Sequence, residues 1–114
     1  MDTEKLRITA SSAASQAATV LKLSGPMVLT NLFDFQAAVR AESAPLVVLD
    51  LTEVPFMDSA ALGSVVNAHV SLVNHQRRLR LAGVSERVAT LLKVTNVDRV
   101  FAIYPTVSEA LASA

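Results

Sequence analysis

The sequence contains no cysteine, which excludes disulfide bonds, thiolate zinc sites and cysteine nucleophiles. A cytoplasmic protein fits this absence best. Net charge is also absent, because ten Lys and Arg residues balance ten Asp and Glu residues. Without a broad positive field, the chain lacks the usual means of binding nucleic acid or an anionic membrane. Any partner must therefore be recognised through a local surface.

The sequence has no long apolar run, although 52% of its residues are hydrophobic. No stretch approaches the roughly 18 residues that a membrane-spanning helix needs. The first residues, "MDTEKLR", differ from a signal peptide because acids precede the first lysine and no long apolar stretch follows. We expect no membrane insertion, and 114 residues predict a single domain over residues 1–114.

Hydrophobic spacing predicts that strands and helices alternate along most of the chain. The run "PLVVLDL" is apolar apart from Asp50, as in a strand covered on both faces, and is the predicted central strand. Residues 10–18, rich in Ala and Ser, are interpreted as a turn or loose connection between two early strands. The other predicted elements are strands at 18–25, 77–83 and 99–105, and helices from about 30, from 59 to about 74, over 85–96 and from 106.

Local signals predict where several of these helices begin and end. Ser85 is a predicted N-cap, and Asn96 tolerates the left-handed conformation that can close the same helix. Thr106 and Glu109 form a predicted capping box. The alternation as a whole favours an α/β sandwich with right-handed crossovers and helices over a mostly parallel or mixed sheet. A flavodoxin-like sheet with helices on both faces is the second interpretation.

The stretch "VPFMDSAALGSV", residues 54–65, changes from a strand-like to a helix-like pattern at Asp58 and Ser59. The first N–H groups of a helix lack partners and carry the positive end of its dipole, so both residues are suited to cap them. The same position also suits a phosphorylated hydroxyl, whose charge of about −1.5 to −2 is tolerated there. The sequence alone does not distinguish a capping role of these residues from a phosphorylation site.

The longer stretch "VVLDLTEVPFMDSAALGSVV" resembles the signature of the STAS family, in particular the bacterial anti-sigma-factor antagonists. The likeness runs from about Val20 to Leu111, because an L-x-L-x-G strand, a glycine after the following strand, an L-L helix and a final capped helix come in order. It implies a single STAS domain, with a mixed sheet of four to five strands packed with four α-helices.

The resemblance also implies a role for individual residues. Ser59 corresponds to the family's phosphorylatable serine, and Asp58 to the acid before it. The implied partner is an anti-sigma factor with serine kinase activity, whose binding releases a sigma factor. The implied binding surface comprises Met27, Asp58, Ser59, Ala60, Leu62 and Gly63. No catalytic residue, metal or cofactor is expected.

Two departures from the family pattern motivate an alternative. Ala60 and Ala61 stand where the family usually has Ser/Thr-Gly, so a second hydroxyl is lost. After Gly25 the chain continues "PMVL", where kinase-binding antagonists commonly carry an acid, so this loop would offer a partner apolar groups. The alternative is an accessory STAS subunit of a lipid-transport ABC ATPase complex. A homodimer through an uncovered strand edge also remains open.

Other residues that could carry chemistry are interpreted as structural. His69 and His75 lack a third ligand at metal spacing, and are assigned to the core and a helix C-terminus.

Asp34, Asp50 and Asp58 could act as acids only if they met in one pocket. No Ser-His-acid order or glycine-rich phosphate loop is present, which argues against an enzyme. The run "HQRRLR", residues 75–80, is interpreted as a solvated strand edge with Leu79 pointing inward.

Overall fold

The computed structural model describes residues 5–13 and 17–112, in which five strands form one mixed sheet with the order β1-β2-β3-β4-β5. β1 is antiparallel to β2, and each later neighbouring pair is parallel. The elements are β1 (Arg7–Ala13), β2 (Ala18–Ser24), α1 (Leu32–Arg40), β3 (Leu46–Glu53), α2 (Ser59–Asn74), β4 (Arg78–Ala82), α3 (Glu86–Val94), β5 (Ala102–Tyr104) and α4 (Val107–Ala112). The predicted fold, a mixed sheet of four to five strands packed with four α-helices, is confirmed.

The central strand β3 explains how the sheet carries helices on both faces. Its side chains alternate, so that Val47, Leu49 and Leu51 join the core beneath α1, α2 and α3. Leu46 and Val48 join a smaller cluster on the other face, where Ala110 of α4 packs. The prediction of a central strand covered on both faces is therefore confirmed. Among the described helices, α4 is the one that packs on the second face.

The helix ends follow the local signals in the sequence. α2 begins at Ser59 and ends at Asn74, as predicted. The Ser85 hydroxyl accepts a hydrogen bond from the Val88 N–H at 3.2 Å, and Asn96 has φ of 61°. The Thr106 hydroxyl accepts from the Glu109 N–H at 3.1 Å, which is one half of the predicted capping box. These predictions succeed because each depends on residues a few positions apart.

The interpretation of residues 10–18 as a turn is wrong for most of that stretch. β1 continues to Ala13 and β2 begins at Ala18, with Ala10 opposite Leu21 in the antiparallel register. Residues 14–16 lie outside the described residues. The small side chains become strand because they pair with β2 across a hairpin, and this pairing outweighs their weak intrinsic preference for strand.

The interpretation of residues 75–80 as a solvated edge is wrong at Arg80. β4 lies between β3 and β5, and Arg80 is only 4% exposed. Its guanidinium donates to the Ala110 carbonyl in the last turn of α4 and lies 5.6 Å from the Tyr104 ring centroid. Carbonyls in the last turn lack a helical partner, so the buried charge meets a group that needs a donor. Leu79 is buried, as predicted.

Candidate functional site

The loops that follow β2 and β3 are joined by backbone hydrogen bonds beyond the ends of both strands. The Gly25 N–H donates to the Glu53 carbonyl at 2.9 Å, and the Met27 N–H donates to the Phe56 carbonyl at 3.1 Å. The Asp58 N–H then donates to the Met27 carbonyl at 3.1 Å. This continued pairing fixes the position of Asp58 where α2 begins.

Side chains at the ends of the same two strands reinforce that connection. The Ser24 hydroxyl donates to the Glu53 carboxylate at 2.7 Å, and the Lys22 ammonium lies 3.1 Å from it. The Ser24 hydrogen bond and the Lys22 charge hold the pKa of Glu53 below its ordinary value. Because Glu53 is exposed, we expect this cluster to contribute little to the free energy of unfolding.

The Asp58 carboxylate caps two chain segments at once. One oxygen accepts from the Ala61 N–H at 2.8 Å, which confirms Asp58 as the N-cap of α2. The other oxygen accepts from the Leu29 N–H at 3.0 Å, in the short 3-10 turn Leu29–Asn31 that precedes α1. Asp58 therefore fixes the start of α2 relative to the segment leading into α1.

Asn31 organises that segment from within. Its side-chain oxygen accepts from the Val28 N–H at 3.1 Å, and its side-chain nitrogen donates to the Pro26 carbonyl at 2.9 Å. Asn31 is a functional-loop residue that the motifs considered in the sequence do not include. An Asn within a few residues of a proline is a known turn signal that could have indicated it.

Ser59 is the first residue of α2, and its side chain is exposed. Ala60 is half-buried, and Asp58 is half-buried with both carboxylate oxygens engaged. The exposed hydroxyl thus stands at the positive end of a 16-residue helix, beside a carboxylate that is already committed to capping. The geometry supports capping by Asp58 and leaves the Ser59 hydroxyl available to other molecules.

Two of the predicted binding residues are not on the surface. Met27 is 0% exposed and Leu62 is 6% exposed, and both belong to the main core. The structure therefore places both side chains in the core, and their contact with a partner stays a prediction. Met27 forms an isolated parallel β-bridge with Met57, and Leu62 lies on the buried side of α2. The exposed apolar groups of this region are instead Leu29, at 67%, and Phe33, at 80%.

Gly63 lies on the exposed side of α2, one turn after Ser59. A Cβ atom added there would meet nothing within 4 Å, so the fold does not require glycine at this position. Gly63→Ala should raise the free energy of unfolding by about 1 kcal/mol, since glycine costs that much relative to alanine inside a helix. Urea unfolding followed by circular dichroism checks this, and a destabilised variant would contradict it.

The first turn of α3 brings a positive charge beside the same loop. The Ser85 hydroxyl donates to the Pro55 carbonyl at 3.2 Å. The exposed Arg87 guanidinium lies 4.7 Å from the centroid of the Phe56 ring, within the range of a cation–π contact. α3 therefore supports the loop that leads from β3 into Asp58 and Ser59.

The other candidate residues do not assemble into a chemical site. Among residues 5–13 and 17–112, no three His, Cys, Asp or Glu side chains come close enough to hold a metal ion. The His69 ring makes an edge contact with Phe101 at a centroid distance of 5.5 Å. His75 is the C-cap residue of α2, and its Nδ1 lies 2.8 Å from the Ser71 carbonyl oxygen. Within the described chain, no helix has the length and apolarity that crossing a membrane requires.

A mixed sheet packed with four helices, one of them capped by Asp58 and beginning at the exposed Ser59, defines a small α/β domain. Residues 10–110 match the family model described as the STAS domain. The chain therefore belongs to the STAS domain family.

Three known proteins illustrate the relationship. A Thermotoga neapolitana protein, named for an assumed role as an anti-sigma factor antagonist, is 40% identical over 65 residues, which are 57% of this chain and 58% of that protein. The anti-sigma-B factor antagonist of Listeria monocytogenes is 42% identical over 55 residues, 48% of each chain. The matched part thus spans about half the length of these relatives. The crystal structure of an anti-sigma factor antagonist from Mycobacterium paratuberculosis shares the fold, with a TM-score of 0.83 at 21% identity over 94% of this chain and 92% of the other.

Proposed function

We propose that this protein is an anti-sigma factor antagonist, which binds an anti-sigma factor and so releases a sigma factor. The observation that carries the proposal is the exposed Ser59 at the first position of α2, next to an Asp58 whose carboxylate is fully engaged. The binding surface would comprise Asp58, Ser59, Ala60 and Gly63. Membership of the STAS family and the names of the relatives support it. The proposal includes a cytoplasmic location.

We further propose that the partner is also a serine kinase that phosphorylates Ser59. A phosphate would add a charge of about −1.5 to −2, which the positive end of α2 tolerates without unfolding. An interface that excludes water would have to desolvate that charge, so phosphorylation would oppose docking. Because Asp58 caps the helix, Ser59 can change its charge without leaving the helix uncapped.

The arrangement of histidines supports a binding role over a catalytic one. A serine nucleophile needs a base within hydrogen-bonding distance. His69 follows Ser59 by ten positions on α2, which corresponds to about 15 Å along the helix axis. His75 lies further along, at the end of α2. Neither histidine can therefore activate Ser59, and no cofactor is part of the proposal.

Capture of partners from a lysate of the source organism tests the proposal. Wild-type protein and Ser59→Asp are immobilised, and the retained proteins are identified by mass spectrometry. An anti-sigma factor with a kinase-type ATP-binding domain, retained by wild type and depleted with Ser59→Asp, is the expected result. Failure to retain any anti-sigma factor would refute the proposal.

The second candidate is an accessory subunit of a lipid-transport ABC ATPase complex. The observation that favours it is the exposed apolar pair Leu29 and Phe33 beside a motif that lacks the second hydroxyl. The same capture experiment separates the two functions. A transporter ATPase retained equally by wild type and Ser59→Asp would select this second function.

A homodimer is compatible with either function. β1 is an edge strand, and its residues after Arg7 include neither charge nor proline, the devices that usually protect an edge. We propose that a second copy can pair along β1. Light scattering of the purified chain distinguishes a dimer from a monomer, and a monomer at all concentrations would exclude the pairing.

A further inference from the structure

A cavity of about 360 Å³ lies between α1 and α2. Its lining includes the apolar side chains of Phe35 and Val39 on α1 and of Ala68 on α2. Phe35 and Ala68 are buried and belong to the main core, so the cavity reaches down to that core. Packed side chains normally leave few voids larger than a water molecule. The volume falls within the range of roughly 300–1,000 Å³ that small-molecule sites occupy.

Small side chains on α2 leave this space open. Ser64, Ala68 and Ser71 recur at intervals of four and three, so they share the face of α2 that lines the cavity. Their side chains are too short to fill the space between two helices. The Ser64 hydroxyl, which is buried, accepts a hydrogen bond from the Gln36 side-chain nitrogen at 3.1 Å. This hydrogen bond joins α1 and α2 where both line the cavity.

The cavity also has exposed polar groups with unused bonding capacity. Arg40 and Asn67 line it and are exposed. Within residues 5–13 and 17–112, no hydrogen bond or ion pair engages either of these two side chains. Arg40 has no acid on its own side of α1, because the positions three and four residues away are Gln36, Ala37, Ser43 and Ala44. The cavity therefore combines an apolar floor with an unpaired positive charge.

We infer that this cavity binds a small carboxylic acid with an apolar body, of which an aromatic acid is the simplest example. The Arg40 guanidinium can hold a carboxylate through two parallel hydrogen bonds, and the Asn67 amide supplies a further donor. The apolar body would pack against Phe35 and Val39. One cation balances one negative charge, so a monocarboxylate fits better than a phosphate group, which carries nearly two.

This site is separate from the proposed partner surface at the start of α2. Its lining residues and the residues proposed to bind the anti-sigma factor form two different sets. The inference therefore does not rest on the proposed function, and it is tested on the purified chain without any partner.

Titration of isotope-labelled protein with benzoate, followed by NMR of the backbone amides, tests the inference. We expect saturable shifts at Val39, Ala68 and Ser71, with a dissociation constant of about 1 mM for a ligand this small. Benzamide has nearly the same shape without the negative charge, so it should bind at least tenfold more weakly. Equal binding of benzoate and benzamide would refute recognition of a carboxylate.

Three variants test the assignment of residues. Arg40→Gln should weaken benzoate binding at least fivefold and leave benzamide binding unchanged. Arg99→Gln is the matched control, because Arg99 is an exposed arginine between α3 and β5 and should bind benzoate like wild type. Ser71→Phe places a ring at an exposed position beside the cavity and should abolish binding of both compounds. Thermal unfolding followed by circular dichroism verifies that each variant is folded.

Three further results would overturn the inference. Absence of saturable shifts with benzoate would show that the cavity does not bind this class of ligand. Shifts confined to residues outside α1 and α2 would place the ligand elsewhere. Equal losses in Arg40→Gln and Arg99→Gln would show an effect of overall charge. Because no partner is present in these titrations, none of these results bears on the proposed function.

Discussion

Ser59→Asp should weaken binding of the anti-sigma factor at least tenfold while leaving the fold intact. The substitution places a carboxylate at the first position of α2, where the helix dipole favours a negative charge, so stability should be preserved. In the complex, the new carboxylate must lose its hydration beside α2, whose residues include no Lys or Arg that could pair with it. Calorimetric titration measures the affinity, and circular dichroism measures the melting temperature.

Two variants control this experiment. Ser108→Asp makes the same substitution at an exposed position in the first turn of α4, which packs against the opposite face of the sheet, and it should bind like wild type. Ser59→Ala removes the hydroxyl without adding charge, so it should bind like wild type and remain unresponsive to incubation with ATP and the kinase. Equal affinity of Ser59→Asp and Ser108→Asp would show that charge at Ser59 does not control docking.

The parts of this structure that could be predicted are those set by neighbouring residues. The start of α2 at Ser59, the Ser85 cap and the left-handed Asn96 each depend on a few consecutive positions. The central position of β3 was also predictable, because its apolar run lacks the alternation of a strand with one wet face. Sequence spacing therefore predicts where α2 begins, which is the place of the proposed site.

The parts that could not be predicted depend on contacts between distant positions. Asp58 accepts a hydrogen bond from the Leu29 N–H across 29 positions, in a loop where Leu29 is exposed and Met27 is buried. Arg80 is buried because α4, about 30 positions later, places the Ala110 carbonyl beside it. The loop residues "PMVL" are all apolar, so their hydrophobicity does not indicate that Met27 is buried and Leu29 exposed.

Asp58→Ala should lower the free energy of unfolding by about 2–3 kcal/mol. Loss of an N-cap costs about 0.5–2 kcal/mol, and here the same change also removes the acceptor of the Leu29 N–H. Urea unfolding followed by circular dichroism measures the total. A variant as stable as wild type would show that water replaces both hydrogen bonds without cost.

Asp58→Asn separates the contributions of the two hydrogen bonds to stability. Asn is as good an N-cap as Asp, because its side-chain oxygen can still accept from the Ala61 N–H. Its amide nitrogen cannot accept from the Leu29 N–H, so about half of the stability loss should remain. Amide hydrogen exchange should accelerate at Leu29 and remain slow at Ala61, which tests the two hydrogen bonds individually. Acceleration at both amides would mean that the two segments open together, and that Asp58 couples the start of α2 to the turn before α1 as one unit.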